Sequence, residues 1–262
     1  MELKSNQYFN NRYMIIQCMG EGASAQVWKA LDLQANNLPV ALKIFSSKEG
    51  MDTVGIQNFK HEFTTVFNLN HTNLLTPSSY DIYEGNPYLV MPFCEKGSAA
   101  NLIGTIDEPT MLKLIHQEIK PDNILISQAG NFLISDFGIT AVTNVNDSVV
   151  NGFCGTKAYM GPERFNGMPA VYASDVWSLG AMAYELMTGR VPFGARGGLA
   201  QSLGDAIPAI NKKYSSELIN IVKSCMSANP WDRPMAKDIK AKIETFWENG
   251  SWKKKSYKKP FR

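Results

Sequence analysis

The sequence contains His116-Gln117-Glu118-Ile119-Lys120-Pro121-Asp122-Asn123 and, further along, Ile134-Ser135-Asp136-Phe137-Gly138. Two short apolar runs lie between these motifs, separated by the turn residues Gln128-Ala129-Gly130. Apolar runs on either side of such a turn predict a β-hairpin. Because a hairpin returns the chain to the end at which it began, we expect Asn123 and Asp136 to lie close together. The spacing therefore predicts one polar site at the open end of a hairpin.

Upstream of this hairpin, the sequence predicts a small antiparallel sheet with one helix. β-Branched and apolar residues alternate or form runs that glycine and asparagine turn signals interrupt, which is typical of strands. Between Gly55 and Leu69 the apolar residues recur at spacings of three and four, which predicts an amphipathic helix. The predicted strands are Arg12–Met19, Ala25–Leu31, Val40–Phe45, Tyr80–Tyr83 and Tyr88–Met91.

Helical patterns dominate after Pro92. A helix is predicted over Ala173–Thr188, where Gly189 closes it, and another over Ser216–Ala228, stopped by Asn229-Pro230. The expected fold class is α+β, with a small antiparallel β-sheet lobe carrying one helix and a larger, mainly helical lobe.

Two motifs in the strand-rich part suggest phosphate binding. Gly20-Glu21-Gly22-Ala23-Ser24-Ala25-Gln26-Val27 joins two strands, and its missing side chains would let backbone amides approach a phosphate. An ordinary glycine hairpin would look the same. Val40-Ala41-Leu42-Lys43 is an apolar strand ending in a lysine, and Glu62 follows in the predicted helix as an anion that could offset the lysine charge.

In this order, these motifs resemble the signature set of the eukaryotic-type (Hanks-type) serine/threonine protein kinase domain. The resemblance runs from about Tyr13 to Trp247. It implies a two-lobed kinase fold and a single kinase domain over residues 1–262. The implied parts are an N-lobe of about 8–91, a hinge of 92–98, a C-lobe of about 99–248 and a basic tail of 249–262.

The resemblance also implies that ATP is bound. Lys43 would pair with the α- and β-phosphates and with Glu62. Backbone groups of Pro92 and Cys94 would hydrogen-bond the adenine edge, and Met91 would be the gatekeeper residue. The implied nucleotide-binding residues are Gly20, Glu21, Gly22, Ala23, Ser24, Ala25, Val27, Ala41, Lys43, Glu62, Met91, Pro92, Cys94 and Leu125.

For catalysis, the resemblance implies that Asn123 and Asp136 hold Mg²⁺, with Mn²⁺ as an alternative, and that Lys120 neutralises charge on the transferred phosphoryl group. Lys43 is assigned a catalytic role as well. Glu118 stands where the family has an aspartate that orients the substrate hydroxyl. Its extra methylene shifts the carboxylate by about 1 Å, and a shift of that size can cost roughly a hundredfold in rate.

Two further departures concern regulation and size. Gln117 replaces the arginine that grips a phosphorylated activation loop in the family, so activation by that route is not expected. Only 21 residues separate Cys94 from His116, about half the family's usual number. The helix that starts at Asp107-Glu108-Pro109 would have about two turns, which indicates either an internal deletion or a naturally shortened kinase. At a distance along the chain, Arg233 fits the family's buried partner for Glu163.

The expected function is transfer of the γ-phosphate of MgATP to serine or threonine hydroxyls on proteins. The alternative is a pseudokinase that binds nucleotide and acts as a scaffold or allosteric regulator, which Glu118 and Gln117 favour. A small-molecule kinase on a related fold is a third class, but the full activation-loop segment up to Glu163 disfavours it.

Composition bears on the cellular compartment of the protein and on its association with membranes. Its 262 residues are 44% hydrophobic, and its four cysteines form no CxxC pair, as expected for free thiols in a reducing, cytoplasmic compartment. No signal peptide and no uninterrupted apolar run of membrane-spanning length is seen, so a membrane link is expected only through sequence beyond the tail. Six basic residues near the end account for six positive charges, so the rest of a chain of net charge +2 carries −4. They are Lys253, Lys254, Lys255, Lys258, Lys259 and Arg262.

This tail could be a solvated end or touch an anionic surface, whereas the remaining chain gives no indication of nucleic-acid binding. The oligomeric state is left open.

Overall fold

The computed structural model describes residues 3–21, 25–45, 56–57, 63–64, 67, 71, 73–116, 124–134, 157–169 and 171–252. The chain divides into two compact units. Unit 1 comprises Met1–Gly97 and Leu125–Thr143, and unit 2 comprises Ser98–Ile124 and Asn144–Arg262. The boundary at Gly97 falls inside the expected hinge. The hairpin that the sequence assigns to the larger lobe instead belongs to unit 1 from Leu125 onward.

Unit 1 is built on a six-stranded antiparallel sheet with the order β1-β2-β3-β4-β6-β5. The five predicted strands are confirmed, with ends that differ by at most two residues. A further strand of two residues, β1, is too short to give a periodic signal. The strands are β1 (Tyr8–Phe9), β2 (Tyr13–Glu21), β3 (Ala25–Asp32), β4 (Leu38–Phe45), β5 (Ser79–Tyr83) and β6 (Asn86–Pro92).

The turns of the sheet follow from their residues. Asn36 and Asn37, between β3 and β4, have positive φ angles of 58° and 60°, which asparagine tolerates better than most residues. Glu84 and Gly85, between β5 and β6, have φ angles of 49° and 74°, as in the type I′ turn whose twist suits a hairpin. These turns fix the strand register.

The two faces of the sheet have different roles. Side chains alternate along a strand, so every second residue points to the same face. One face carries the main core of the unit, which includes Ile15, Trp28, Ala30, Val40, Leu42, Ile44 and Val90. The residues between these, among them Val27, Ala41 and Met91, point to the other face. That second face carries the candidate site.

The predicted helix between Gly55 and Leu69 is confirmed at the positions that the structure describes. Ile56, Gln57, Phe63, Thr64 and Phe67 are helical. The buried Phe63 packs on the second face of the sheet, as detailed below.

The predicted hairpin is also confirmed. Strands β7 (Ile124–Ile126) and β8 (Phe132–Ile134) form a separate two-stranded sheet. Gly130 has a φ of 76° in the connecting turn, a conformation that glycine adopts without steric cost.

Unit 2 is helical in its described part. The helix predicted over Ala173–Thr188 is observed one residue longer, from Tyr172, and it ends as expected where Gly189 takes a φ of 83°. The predicted helix beginning at Ser216 ends at Cys225, three residues earlier than expected. The helices are α1 (Glu108–His116), α2 (Pro162–Phe165), α3 (Tyr172–Thr188), α4 (Gly198–Ser202), α5 (Ser216–Cys225) and α6 (Ala236–Asn249).

Helix α1 has the short length that the sequence predicts. The carboxylate of Asp107 accepts a hydrogen bond from the Thr110 N–H at 2.8 Å and so caps the helix. Four apolar side chains of α1 are fully buried, and the helix packs against α3 and α6. They are Met111, Leu112, Leu114 and Ile115.

His116 is the last residue of α1, and its partners lie on α6. Its Nε2 is 3.2 Å from a carboxylate oxygen of Glu244, and its ring centroid is 4.8 Å from that of Trp247. His116, the first residue of the predicted catalytic-loop motif, thus also links α1 to α6.

The predicted pairing of Glu163 with Arg233 is confirmed. Arg233 donates to both carboxylate oxygens of Glu163, at 2.7 Å and 3.0 Å, and both side chains are buried. None of the helices in the described part of the chain combines the length and the apolar character needed to cross a membrane.

Candidate nucleotide-binding site

A cluster of buried and partly buried apolar side chains lies on the second face of the sheet in unit 1, and we call it the pocket cluster for the role that the sequence predicts. Its members come from strands β3, β4 and β6, from the residues just before β5 and just after β6, and from the β7–β8 hairpin. Five of the predicted nucleotide-binding residues are among them. The pocket cluster consists of Val27, Ala41, Leu75, Met91, Phe93, Cys94, Leu125 and Leu133.

Backbone hydrogen bonds fix the hairpin beneath this cluster. The Ile126 N–H donates to the Gly97 carbonyl at 2.8 Å, which ties β7 to the hinge. On β8, the Ile134 carbonyl accepts from Leu75 N–H and the Ile134 N–H donates to the Asn73 carbonyl, each at 2.8 Å. Both strands are thus anchored within unit 1, and this brings Leu125 and Leu133 into the pocket cluster.

The hinge offers polar backbone groups at the edge of the cluster. The Cys94 carbonyl accepts from Gly97 N–H at 3.1 Å. Its N–H, in contrast, has no acceptor within the part of the chain that the structure describes. Pro92 ends β6 opposite Val40 and has an exposed side chain. The Cys94 amide therefore fits the hydrogen-bonding role predicted from the sequence.

The Cys94 side chain contributes to the apolar character of the pocket. It is 8% exposed, and burial raises the pKa of its thiol above the ordinary value. A thiol with a raised pKa stays neutral at physiological pH. Cys94 therefore acts as a small apolar residue here. Cys18, Cys94 and Cys225, the cysteines that the structure describes, are all free thiols, as predicted.

Lys43 lies on the same face as the pocket cluster. In the strand register it is opposite Val27 on β3 and Leu89 on β6. Its Nζ is 5.4 Å from the ring centroid of Phe45, two residues further along β4. On this face of β4, Lys43 therefore lies between Ala41 of the pocket cluster and Phe45.

The helical residue Phe63 packs at this same end. Phe63, the residue after Glu62, is buried against Phe45 and Leu89, which flank Lys43 on the face. Glu62 itself lies outside the described residues, so the Lys43–Glu62 pair stays a prediction. The packing of Phe63 supports it.

The glycine segment connects β2 and β3. Gly20 is opposite Val27 and Glu21 is opposite Gln26, whose amide donates to the Glu21 carboxylate at 3.0 Å. A side-chain carbon built on Gly20 would meet no atom within 4 Å, so the space beside it is open. Ala25 instead packs with the Phe45 and Leu89 group.

The other predicted site residues lie outside the described residues. The described residues next to the two predicted metal ligands are Ile124, which follows Asn123, and Ile134, which lies two residues before Asp136. Ile124 is fully buried, and Ile134 is held by the hydrogen bonds given above. Across the described ranges, no group of three histidine, cysteine, aspartate or glutamate side chains could hold a metal ion. The metal assignment rests on the sequence. The residues in question are Gly22, Ala23, Ser24, Glu62, Glu118, Lys120, Asn123 and Asp136.

Sequence reasoning missed three members of the pocket cluster, Leu75, Phe93 and Leu133. Leu133 is the central residue of β8 and faces the same cluster as Leu125 on β7, so the hairpin pattern could have revealed it. Leu75 enters only because the adjacent Leu74 forms a parallel bridge with Ile134. No local pattern signals such a bridge.

The pocket cluster gives a test in which two alanines on opposite faces are compared. Ala41→Ile inserts bulk into the pocket cluster, and we expect it to raise the KM for ATP by roughly tenfold, since overpacking a filled site typically costs about 1–3 kcal/mol. Steady-state kinetics at varied ATP concentration would measure this. Ala30→Ile is the control, because Ala30 is buried in the core of the other face. An equal rise in KM for both variants would contradict the assignment.

Two family models match successive parts of the chain. Residues 13–112 match one described as protein tyrosine and serine/threonine kinase, and residues 110–243, just over half the chain, match the protein kinase domain. The chain belongs to the protein kinase family. In this kinase domain the two matches overlap at residues 110–112, inside α1. The family uses ATP with a divalent metal ion.

Curated relatives of this kinase domain are 28% identical to it. They include the probable serine/threonine-protein kinase PknB of Lactococcus lactis, with 84% of this chain and 39% of that protein aligned. Serine/threonine-protein kinase PrkC of Bacillus subtilis aligns over 91% of this chain and 41% of its own length. For PknL of Mycobacterium tuberculosis the shares are 86% and 62%. The chain therefore spans less than two thirds of each of these relatives.

Proposed function

We propose that this kinase domain transfers the γ-phosphate of ATP to serine and threonine hydroxyls on proteins. The observation that carries the proposal is the pocket cluster, in which side chains from separate strands and the hairpin meet on the face that also presents Lys43. An apolar slot with a few polar groups at its edge is the usual form of a nucleotide site. The relatives named above are all described as serine/threonine-protein kinases.

The adenine ring fits between Val27 and Ala41 on the sheet and Leu125 on the hairpin. The Cys94 amide N–H would donate a hydrogen bond to the edge of the adenine ring. Lys43, on the same face, would then be directed at the α- and β-phosphates. Each of these assignments uses a side chain or amide of unit 1.

The transfer step falls to residues outside the described part of the chain. Glu118 orients the substrate hydroxyl, and Lys120 neutralises the charge of the γ-phosphoryl group as it moves. Asn123 and Asp136 would hold a magnesium ion, which would offset the negative charge of the phosphates. The sequence Lys120-Pro121 is the form typical of serine/threonine rather than tyrosine kinases.

The test is phosphate transfer from γ-labelled ATP to a generic basic protein, followed by phosphoamino-acid analysis. We expect labelled phosphoserine and phosphothreonine, and no transfer when EDTA removes the divalent ion. Label in phosphotyrosine alone, or in a small-molecule acceptor but not in protein, would refute the proposal. ATP binding without any transfer would instead support the pseudokinase alternative that Glu118 and Gln117 raise.

A further inference from the structure

A groove of about 560 Å³ opens on unit 2 between the starts of α1 and α5 and the end of α6. Two acidic residues, Glu108 and Glu217, and two aromatic residues, Phe246 and Trp252, line it. We call it the C-terminal groove, because Trp252 is the last residue that the structure describes. None of these residues takes part in the proposed nucleotide site.

The groove has a built polar wall. The Ser215 N–H and hydroxyl both donate to the Glu108 carboxylate, with the N–H at 2.8 Å. The Ser215 oxygen accepts from the Leu218 N–H, which caps α5, and from the indole N–H of Trp252 at 3.1 Å. Trp252 is therefore tied to the starts of both helices. Its position also fixes where the chain leaves the groove.

The chemistry of the lining fits an ammonium group. Glu217 is exposed in the first turn of α5, and the carboxylate of Glu108 lies beside Ser215, which donates two hydrogen bonds to it. The rings of Phe246 and Trp252 have centroids 4.8 Å apart and can cover the methylene stem of a lysine. Aromatic faces also attract cations.

The chain itself supplies such groups directly after the groove. Lys253-Lys254-Lys255 follows Trp252 without a break, and Lys258 and Lys259 come soon after. Three extended residues span about 10 Å, and they begin at Trp252, which itself lines the groove together with Glu108 and Glu217. The tail is the basic part of a chain whose remainder is acidic. A covalently attached segment also competes at a high effective concentration against any separate peptide.

We propose that the lysine-rich segment of residues 253–259 docks in the C-terminal groove of its own chain, where Glu108 and Glu217 pair with its ammonium groups. This assigns the basic tail a folded partner. It does not depend on kinase activity.

Limited proteolysis of the full chain would test this docking. Trypsin cleaves after lysine only when the backbone is free, so docking slows cleavage after residues 253–255. At low salt we expect cleavage to be at least about fivefold slower than in a free peptide of residues 251–262, and 1 M NaCl should abolish the difference as the charges are screened. Intact mass spectrometry would follow the products, with the peptide run under each salt condition to correct for trypsin itself.

Two matched variants separate docking from a general charge effect. Glu217→Gln should remove most of the protection. Asp238→Asn should keep it, because Asp238 is likewise an acidic first-turn residue of a helix, α6, but does not line the groove. Thermal unfolding would verify that both variants remain folded. Equal cleavage of the parent, both variants and the peptide would overturn the proposal, as would protection that arises only when phosphatidylserine vesicles are added.

Discussion

Lys43→Met is expected to lower kcat/KM for phosphate transfer by about a hundredfold to a thousandfold, the typical loss when one preorganised electrostatic contact to a transferring group is removed. The reason lies in the position of Lys43 on β4. It is opposite Val27 and Leu89, on the face that carries the pocket cluster, and beside the end of the sheet on which Phe63 packs. Methionine keeps the length of the side chain but has no charge to offer a phosphate.

The loss in kcat/KM should come mainly from kcat. Adenine contacts come from other residues, so the KM for ATP should change less than kcat. Lys4→Met is the control, since Lys4 is an exposed lysine of the same unit and does not lie in the sheet. Initial rates at varied ATP concentration would give kcat and KM for both variants. If Lys43→Met kept parental activity, the assignment of the phosphate-binding face would be wrong.

Arg233→Met is expected to lower the free energy of unfolding of unit 2 by about 3–5 kcal/mol, the usual cost of breaking a buried ion pair. The Arg233 guanidinium donates to Glu163 at 2.7 Å and 3.0 Å and to the carbonyl oxygens of Ser227 and Ala173 at 2.9 Å and 2.7 Å. Methionine fills much of the space but leaves the Glu163 carboxylate buried without its cation. Chemical denaturation followed by tryptophan fluorescence would measure the loss.

An exposed ion pair provides the matched control. Arg196 and Asp205 are 3.5 Å apart, with 64% and 52% of their side chains exposed. Solvent screens such a pair, so Arg196→Met should change stability by less than about 0.5 kcal/mol. A comparable loss for both arginines would show that burial of the Arg233–Glu163 pair is not what makes it important.

The same pair predicts a pH dependence. Burial by itself raises the pKa of Glu163, but the hydrogen bonds and charge of Arg233 outweigh it and hold the pKa below its ordinary value. A lowered pKa in the folded state adds stability above the ordinary glutamate pKa of about 4.3, and this contribution is lost as pH falls through the folded-state value. In Arg233→Met, Glu163 is buried without a partner and gains from protonation. The stability difference between parent and variant should therefore shrink as pH falls, beginning above the ordinary glutamate pKa of about 4.3, where the variant takes up its proton, and continuing down to the lowered folded-state pKa of the parent.

Much of the sheet could be predicted because its signals are local. Alternation in Val40–Phe45 and the turn residues Asn36-Asn37 depend on neighbours within a few positions, and so does the β7–β8 hairpin. The same holds for the short α1, which follows from the cap at Asp107 and the apolar run after it. Helix α5 was predicted too long, because Asn229-Pro230 marks where a helix cannot continue rather than where it ends.

The sequence by itself determined the strands, the hairpin, the kinase motifs and the Glu163–Arg233 pair, since each is written either in local spacing or in a motif shared with a known family. Three features became known from the tertiary structure alone: Leu75 completes the pocket cluster, His116 contacts α6 and Trp252 binds Ser215. Those contacts join residues far apart in the chain. These contacts form only when the helices and strands pack together, so no local sequence pattern predicts them.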